Sequence, residues 1–209
     1  MNRSTIPLTC ALLAALICAA PAARATQADD AFDAWNTAFL VRSNGDVFYS
    51  TTVTTAGTMR SGTWVGALDI AVAEDTYQRT HSAVHRQLVS DLVTTFIAKE
   101  GTDWSGDTWD DDIAWMVIAV LRGYQITGNT QFLTVAENAW NMAYDRGWDT
   151  KYGGGGVWED LGHVTPWNQP SKCNLSNNPL IKMGVALYRI TGDATYLDKC
   201  KGMYAWIRK

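Results

Sequence analysis

Apolar positions recur at helical spacing from Phe32 onward. Phe32, Trp35, Ala38 and Phe39 stand at i, i+3, i+6 and i+7, the stripe of an amphipathic helix. A Gly-, Thr- and Ser-rich stretch, 44–63, reads as a loop, and a second helix is expected over 64–79. Leu88, Val89, Leu92, Val93, Phe96 and Ile97 give a third helix one apolar face. The fourth, 110–127, differs: Ile113, Val117, Val120, Leu121 and Tyr124 form a stripe, and Trp115, Met116, Ile118 and Ala119 fill most of the remaining circumference. A helix apolar nearly all round is buried on every side. The fifth, 129–146, returns to one stripe (Phe132, Val135, Ala136, Trp140, Ala143). Positions 180–190 are again apolar all round, and 194–207 again amphipathic.

Buried helices thus alternate with surface helices, and a phrase repeats at the end of each presumed inner one. Tyr77-Gln78-Arg79-Thr80, Tyr124-Gln125-Ile126-Thr127 and Tyr188-Arg189-Ile190-Thr191 share the pattern. After the last two comes Gly128-Asn129 or Gly192-Asp193. Gly ends one helix in a left-handed turn, and Asn or Asp starts the next. The repeating unit is an inner helix, a tight turn and an outer helix, so the fold class is all-α: a solenoid of hairpins or a closed α/α toroid. The loops before the inner helices vary in length and gather at one end of the array, where sites are usually built. They carry Trp104, Trp109, Trp148, Trp158 and Trp167, which favours a binding face there.

Composition narrows the ligand. Ten of the 209 residues are Trp, the formal net charge is −4, and no Lys/Arg cluster occurs. Nucleic acid and anionic membrane are poor partners for such a chain; a neutral polyhydroxylated ligand suits it. Residues 1–25 read as a signal peptide: Arg3, an apolar run over 11–20 too short to span a membrane, then Ala23-Arg24-Ala25. Export to the periplasm or the exterior is expected, with residues 26–209 forming the folded domain. Cys10 and Cys18 leave with the leader. Export permits a Cys173–Cys200 disulfide, while Cys200 in an apolar stripe equally suits a small core residue.

The candidate chemistry stands at the mouth of the fourth helix: Trp109-Asp110-Asp111-Asp112-Ile113-Ala114-Trp115. One Asp satisfies a helix N-terminus, and three in a row repel one another. Calcium is a weaker alternative, because the spacing does not fit an EF-hand. A carboxylate pair for glycoside hydrolysis fits better, one group attacking or stabilising the anomeric carbon and one protonating the leaving oxygen. Neighbours in a first helical turn are near enough for a retaining pair, about 5–5.5 Å apart, and their proximity keeps one of them protonated. Neither a metal nor a cofactor is expected.

Asp111-Asp112-Ile113-Ala114-Trp115 resembles the paired-Asp motif, Asp-Asp-x-Ala/Gly-Trp-Trp, of glycoside hydrolase family 76, the endo-acting α-1,6-mannanases. Gly154-Gly155-Gly156-Val157-Trp158 resembles that family's Gly-Gly-Gly-Ile-Trp loop, and Lys172-Cys173-Asn174-Leu175-Ser176-Asn177 its Lys-Asn-Ala-Ile-Ser-Asn segment. The resemblance runs from about Ala31 to the C-terminus. It implies an (α/α)6 toroid and retaining hydrolysis of α-1,6-linked mannan or manno-oligosaccharides. Asp111 would be the nucleophile and Asp112 the general acid/base, with Asp110 capping or supporting. Trp64, Trp109, Trp115 and Trp158 would stack on sugar faces, and Asn174, Asn177 and Asn178 would hydrogen-bond hydroxyls. Gly154 and Gly155 would let the backbone approach substrate.

Competing readings accompany several of these residues. Trp64 and Trp158 also suit core aromatics, and Asn174 to Asn178 also suit the cap of a helix starting at Pro179-Leu180. Asn174-Leu175-Ser176 is formally a glycosylation sequon. His163 has no visible partner and reads as surface. Met116 stands where the family has a second Trp, which would narrow a sugar contact. About seven helices are predicted, too few to close a ring of six hairpins. The expectation is the N-terminal part of a toroid with an exposed apolar edge, through which self-association is conceivable. Two rivals remain. A toroid enzyme for acidic sugars, such as an unsaturated uronyl hydrolase, would want basic cleft loops, and these hold only Lys151 and Lys172. The other is a non-catalytic glycan-binding protein.

Overall fold

The computed structural model describes residues 26–162 and 171–209. The expected signal peptide, His163 and Trp167 lie outside them. Among the described residues are seven α-helices: α1 (Gln27–Phe39), α2 (Thr63–Thr80), α3 (Ala83–Glu100), α4 (Asp110–Thr127), α5 (Thr130–Gly147), α6 (Asn174–Thr191) and α7 (Ala194–Ile207). None of the described helices is long and apolar enough to cross a membrane.

Three antiparallel hairpins, α2/α3, α4/α5 and α6/α7, build the array. Their first helices lie side by side, α4 packing on both α2 and α6. This position explains the sequence of α4: Ile113, Ala114, Met116, Val117, Ala119, Val120 and Leu121 are all buried because neighbours close on every side. The tight turns are those the repeated phrases predict. Gly128 and Gly192 are left-handed at φ +77° and +75°, and each donates its N–H to the Tyr carbonyl of the phrase. At the first repeat His81 takes this role at φ +50°. The arrangement is a partial α/α toroid, with the N-termini of α2, α4 and α6 at one end.

The 44–63 stretch departs from the expected loop. Leu40–Ser43 (β1) and Asp46–Tyr49 (β2) pair antiparallel, with Leu40 opposite Tyr49. The turn is Asn44-Gly45, both at positive φ, which matches the right-handed twist of a hairpin. Val41, Val47 and Tyr49 are buried there. The start of α6 also differs: the helix begins at Asn174, and Pro179 lies inside it. Cys173 and Cys200 are both free thiols. Cys200 is core, packed where a Cβ on Gly184 would fall 2.5 Å from its sulfur. An apolar strip on α2 stays open to solvent at Val65, Leu68 and Val72.

Candidate active site

The mouth of α4 is held from outside the helix. Its N-cap, Trp109, offers no side-chain acceptor. The segment 158–161 runs antiparallel beside 108–110 and supplies backbone acceptors instead. Asp110 N–H donates to the Glu159 carbonyl at 2.8 Å, and Leu161 N–H to the Thr108 carbonyl at 2.6 Å. Asp107 accepts the Trp109 N–H through Oδ1 at 2.9 Å.

The three aspartates then divide. Asp110 is fully buried and meets Arg146 of α5, Nε to Oδ1 at 2.7 Å. Burial raises its carboxyl, and the Arg146 guanidinium opposes this. A guanidinium does not deprotonate in proteins, so this contact favours a carboxylate partner. A Cβ at Gly147 would come within 2.6 Å of Asp110 Oδ2, which makes glycine the residue that fits there. Asp110 therefore anchors α4 to α5, the supporting role expected for it.

Asp111 and Asp112 are half-buried. Burial pushes Asp112 up to about 7, with the Asp107 and Asp111 carboxylates adding to the rise. Asp111 is also raised, first by burial and then by Glu159 and Asp107, but backbone N–H groups of Asp111 and Asp112 pull it down. One of its oxygens, Oδ1, is buried without a hydrogen bond among the described residues. Asp112 has no such backbone help. Both carboxyl groups are raised, and they differ in that backbone N–H groups restrain the rise at Asp111 while none does so at Asp112.

Trp115 lies one turn on, at i+4 from Asp111 and i+3 from Asp112, so all three share a face of α4. Beside it opens a cavity of about 440 Å³ between α4 and α6. Trp115 and Ile118 wall one side; Asn174, Asn178 and Lys182, spaced one turn apart, form the polar row of the other with Leu175 and Pro179. The structure therefore brings Trp115, Asn174 and Asn178 together around one space, with Asp111 and Asp112 one helical turn before Trp115 on α4 and outside that lining. Trp109 is half-buried at the helix mouth. Trp64 is 40% exposed at the start of α2, at the same end but outside this cavity's lining.

Other expected ligand contacts turn out to be packing. Asn177 is fully buried with its amide fully engaged: Oδ1 accepts the Val157 N–H at 2.8 Å, and Nδ2 donates to the carbonyls of Val157 and Cys173. It pins the glycine loop to α6 and has no group left for a sugar. Trp158 is 2% exposed, its indole N–H donating to Asp149 Oδ2 at 2.7 Å. Gly153, Gly154, Gly155 and Gly156 all have positive φ, and side chains at 155 and 156 would collide with Trp148 and Trp206. The glycine run is required by its passage over those indoles. Met116 is 1% exposed and points into the core, so its replacement of a Trp leaves the cavity untouched. Trp104 is core too, and Trp148 stacks on Tyr144. Lys172 is occupied as well: its ammonium donates to Asp149 Oδ1 and to the carbonyls of Asp149 and Gly155.

Sequence reasoning noted Asp107 only as a nearby acid for the calcium alternative, and it did not find Glu159 (whose charge acts on Asp111), Arg146, or Lys182 in the cavity. The i, i+4, i+8 row of Asn174, Asn178 and Lys182 is a signal that would have found the last. Among the described residues no group of three or more His, Cys, Asp or Glu is placed to hold a metal ion.

The family model of glycosyl hydrolase family 76 matches residues 22–209. The chain belongs to glycosyl hydrolase family 76. Among solved structures this family 76 chain is similar to the GH76A α-1,6-mannanase from Salegentibacter sp. HEL1_6, at 26% identity and a TM-score of 0.69, over 86% of this chain and 49% of that one. It is also similar to an inactive variant of that enzyme, two consecutive aspartates replaced by asparagine, in complex with α-1,6-mannotriose (24% identity, TM-score 0.70, 86% and 49% covered). A family 76 glycoside hydrolase (mannosidase) from Bacteroides thetaiotaomicron VPI-5482 shares the fold at 18% identity and a TM-score of 0.64, over 86% and 52% of the two chains. This chain spans about half the length of the solved structures it matches. Nothing among the curated proteins matches.

Proposed function

We propose that this chain carries the catalytic carboxylates of a retaining, endo-acting α-1,6-mannan hydrolase that works after export from the cytoplasm. The observation behind the proposal is the unequal setting of Asp111 and Asp112 beside a cavity with an aromatic wall and an amide row. In the first step the Asp112 carboxylic acid protonates the glycosidic oxygen while the Asp111 carboxylate attacks the anomeric carbon. The leaving chain departs as an alcohol, and a mannosyl ester forms on Asp111. In the second step the Asp112 carboxylate takes a proton from water, the hydroxide attacks the same carbon, and the ester bond breaks. Both aspartates return to their starting forms.

Three features support a neutral α-mannan substrate. Trp115 offers a ring face to the C–H face of a pyranose, and the amides of Asn174 and Asn178 suit its hydroxyls. On the cleft loops Lys172 is committed to Asp149, which leaves Lys182 of α6 as the one cation in the cavity's lining, fewer than an acidic sugar chain would call for. The third is kinship: two of the similar structures carry α-1,6-mannanase in their descriptions. The test is incubation with linear α-1,6-mannan, following reducing ends and the anomer first released. Hydrolysis with release of the α-anomer is expected. Binding without cleavage favours the glycan-binding alternative, and cleavage of an acidic polysaccharide alone contradicts the substrate assignment.

A further inference from the structure

A second cavity, about 170 Å³, lies on the loop side of α7, lined by Tyr152, Gly153, Trp158, Lys172 and Trp206. It has room for a single sugar ring. Its walls are aromatic: Trp158 is the buried floor, Tyr152 stands edge-on to it with centroids 5.4 Å apart, and Trp206 lies against the glycine loop. Tyr152 is 61% exposed, so packing does not account for its ring. The Trp206 indole N–H, beside Gly153, has no hydrogen-bond partner among the described residues.

The site is built, not incidental. The loop above Trp206 is fixed by four consecutive left-handed glycines, by the Lys172 ammonium on the carbonyls of Asp149 and Gly155, and by Asn177 on Val157. A preorganised aromatic surface loses little freedom when a ligand docks. The charge of Lys172 is met by Asp149 at 2.7 Å, and the Lys209 ammonium, outside the lining, donates to the carbonyls of Gly153 and Gly154 at 3.3 Å. Trp158 is also the sequence neighbour of Glu159, whose charge acts on Asp111, so one short segment joins this cavity to the aspartate pair.

We propose that this cavity is a separate position for one neutral pyranose, its C–H face stacked on Tyr152 and a hydroxyl accepting from the Trp206 indole N–H. The proposal rests on the carbohydrate reading of the chain but not on catalysis by Asp111 and Asp112.

The experiment is an NMR titration of the indole N–H signals of the full chain with α-1,6-mannobiose, in the Asp111→Asn/Asp112→Asn variant so that the sugar stays intact. The Trp206 signal is identified by its loss in Trp206→Phe. A saturable shift at Trp206 is expected, weakened about three- to tenfold by Tyr152→Ala, the range of one aromatic contact. Tyr152→Phe, which keeps the ring, should titrate like its parent. An immobile Trp206 signal, or a Tyr152→Ala variant that titrates like its parent, overturns the proposal. Because the readout does not use turnover, the two readings fail separately. A Trp206 titration in a chain that leaves mannan uncut supports this site against the hydrolytic mechanism. Hydrolysis with a silent Trp206 overturns this site alone.

Discussion

Asp111 and Asp112 have the same side chain, and their surroundings raise them unequally. Asp112 sits near 7 because burial and two carboxylates oppose its ionisation, whereas backbone N–H groups restrain the rise at Asp111. A group that must be protonated to act as the acid works below its pKa and stops above it. The alkaline limb of the rate profile should therefore fall near pH 7, and the acidic limb should reflect protonation of Asp111. Asp107→Asn removes one of the charges that hold the Asp112 proton, so the alkaline limb should move to lower pH; a pH–rate profile of the variant checks this. Asp112→Asn should lower turnover by about 10²–10⁴, the usual span of general acid–base catalysis, as read by reducing-end release. The aspartate pair stands out in the sequence because adjacent acids at a buried helix mouth are costly, and the structure places both half-buried in the first turn of α4. The roles of Asn177 and Trp158 were not legible there, since a motif records which residue type stands at a position and not whether packing or ligand requires it.

At the scale of elements, the mouth of α4 depends on neighbours far away in sequence. Arg146→Ala would leave Asp110 buried and unpaired, a change that costs about 3–5 kcal/mol when one partner of a buried pair is lost. A fall in thermal midpoint, with far-UV helix content kept at low temperature, is the expected result. Gly184 is a second such point. A Cβ there would meet Cys200 Sγ and Trp140, each at 2.5 Å, so Gly184→Ala should destabilise α6 against α5 and α7 by roughly 1–3 kcal/mol; chemical denaturation measures it. Periodicity located α4 and α7 to the residue, because their apolar patterns begin and end at clear caps. It missed β1 and β2, where four-residue strands carry too little alternation, though Asn44-Gly45 signals a hairpin. It also began α6 too late. Pro179 reads as a helix start, and only the tertiary anchoring of Asn177 shows that the helix begins a turn and a half earlier.

For the whole molecule, the alternation of inner and outer helices was the most legible property, since it follows from which faces must leave water. What the pattern could not supply was the use of the tryptophans. Their number suggested a broad sugar-stacking wall, but Trp104, Trp140 and Trp158 are core, and Trp115 is the indole that lines the cavity beside the aspartates. The cavity that Trp115 lines thus lies between α4 and α6, with Asp111 and Asp112 one helical turn before Trp115 on α4. The decisive measurement compares the chain with its Asp111→Asn/Asp112→Asn variant on linear α-1,6-mannan, following reducing ends while circular dichroism confirms that both are folded. The account predicts steady release by the parent and none by the variant. Equal release by both would contradict it.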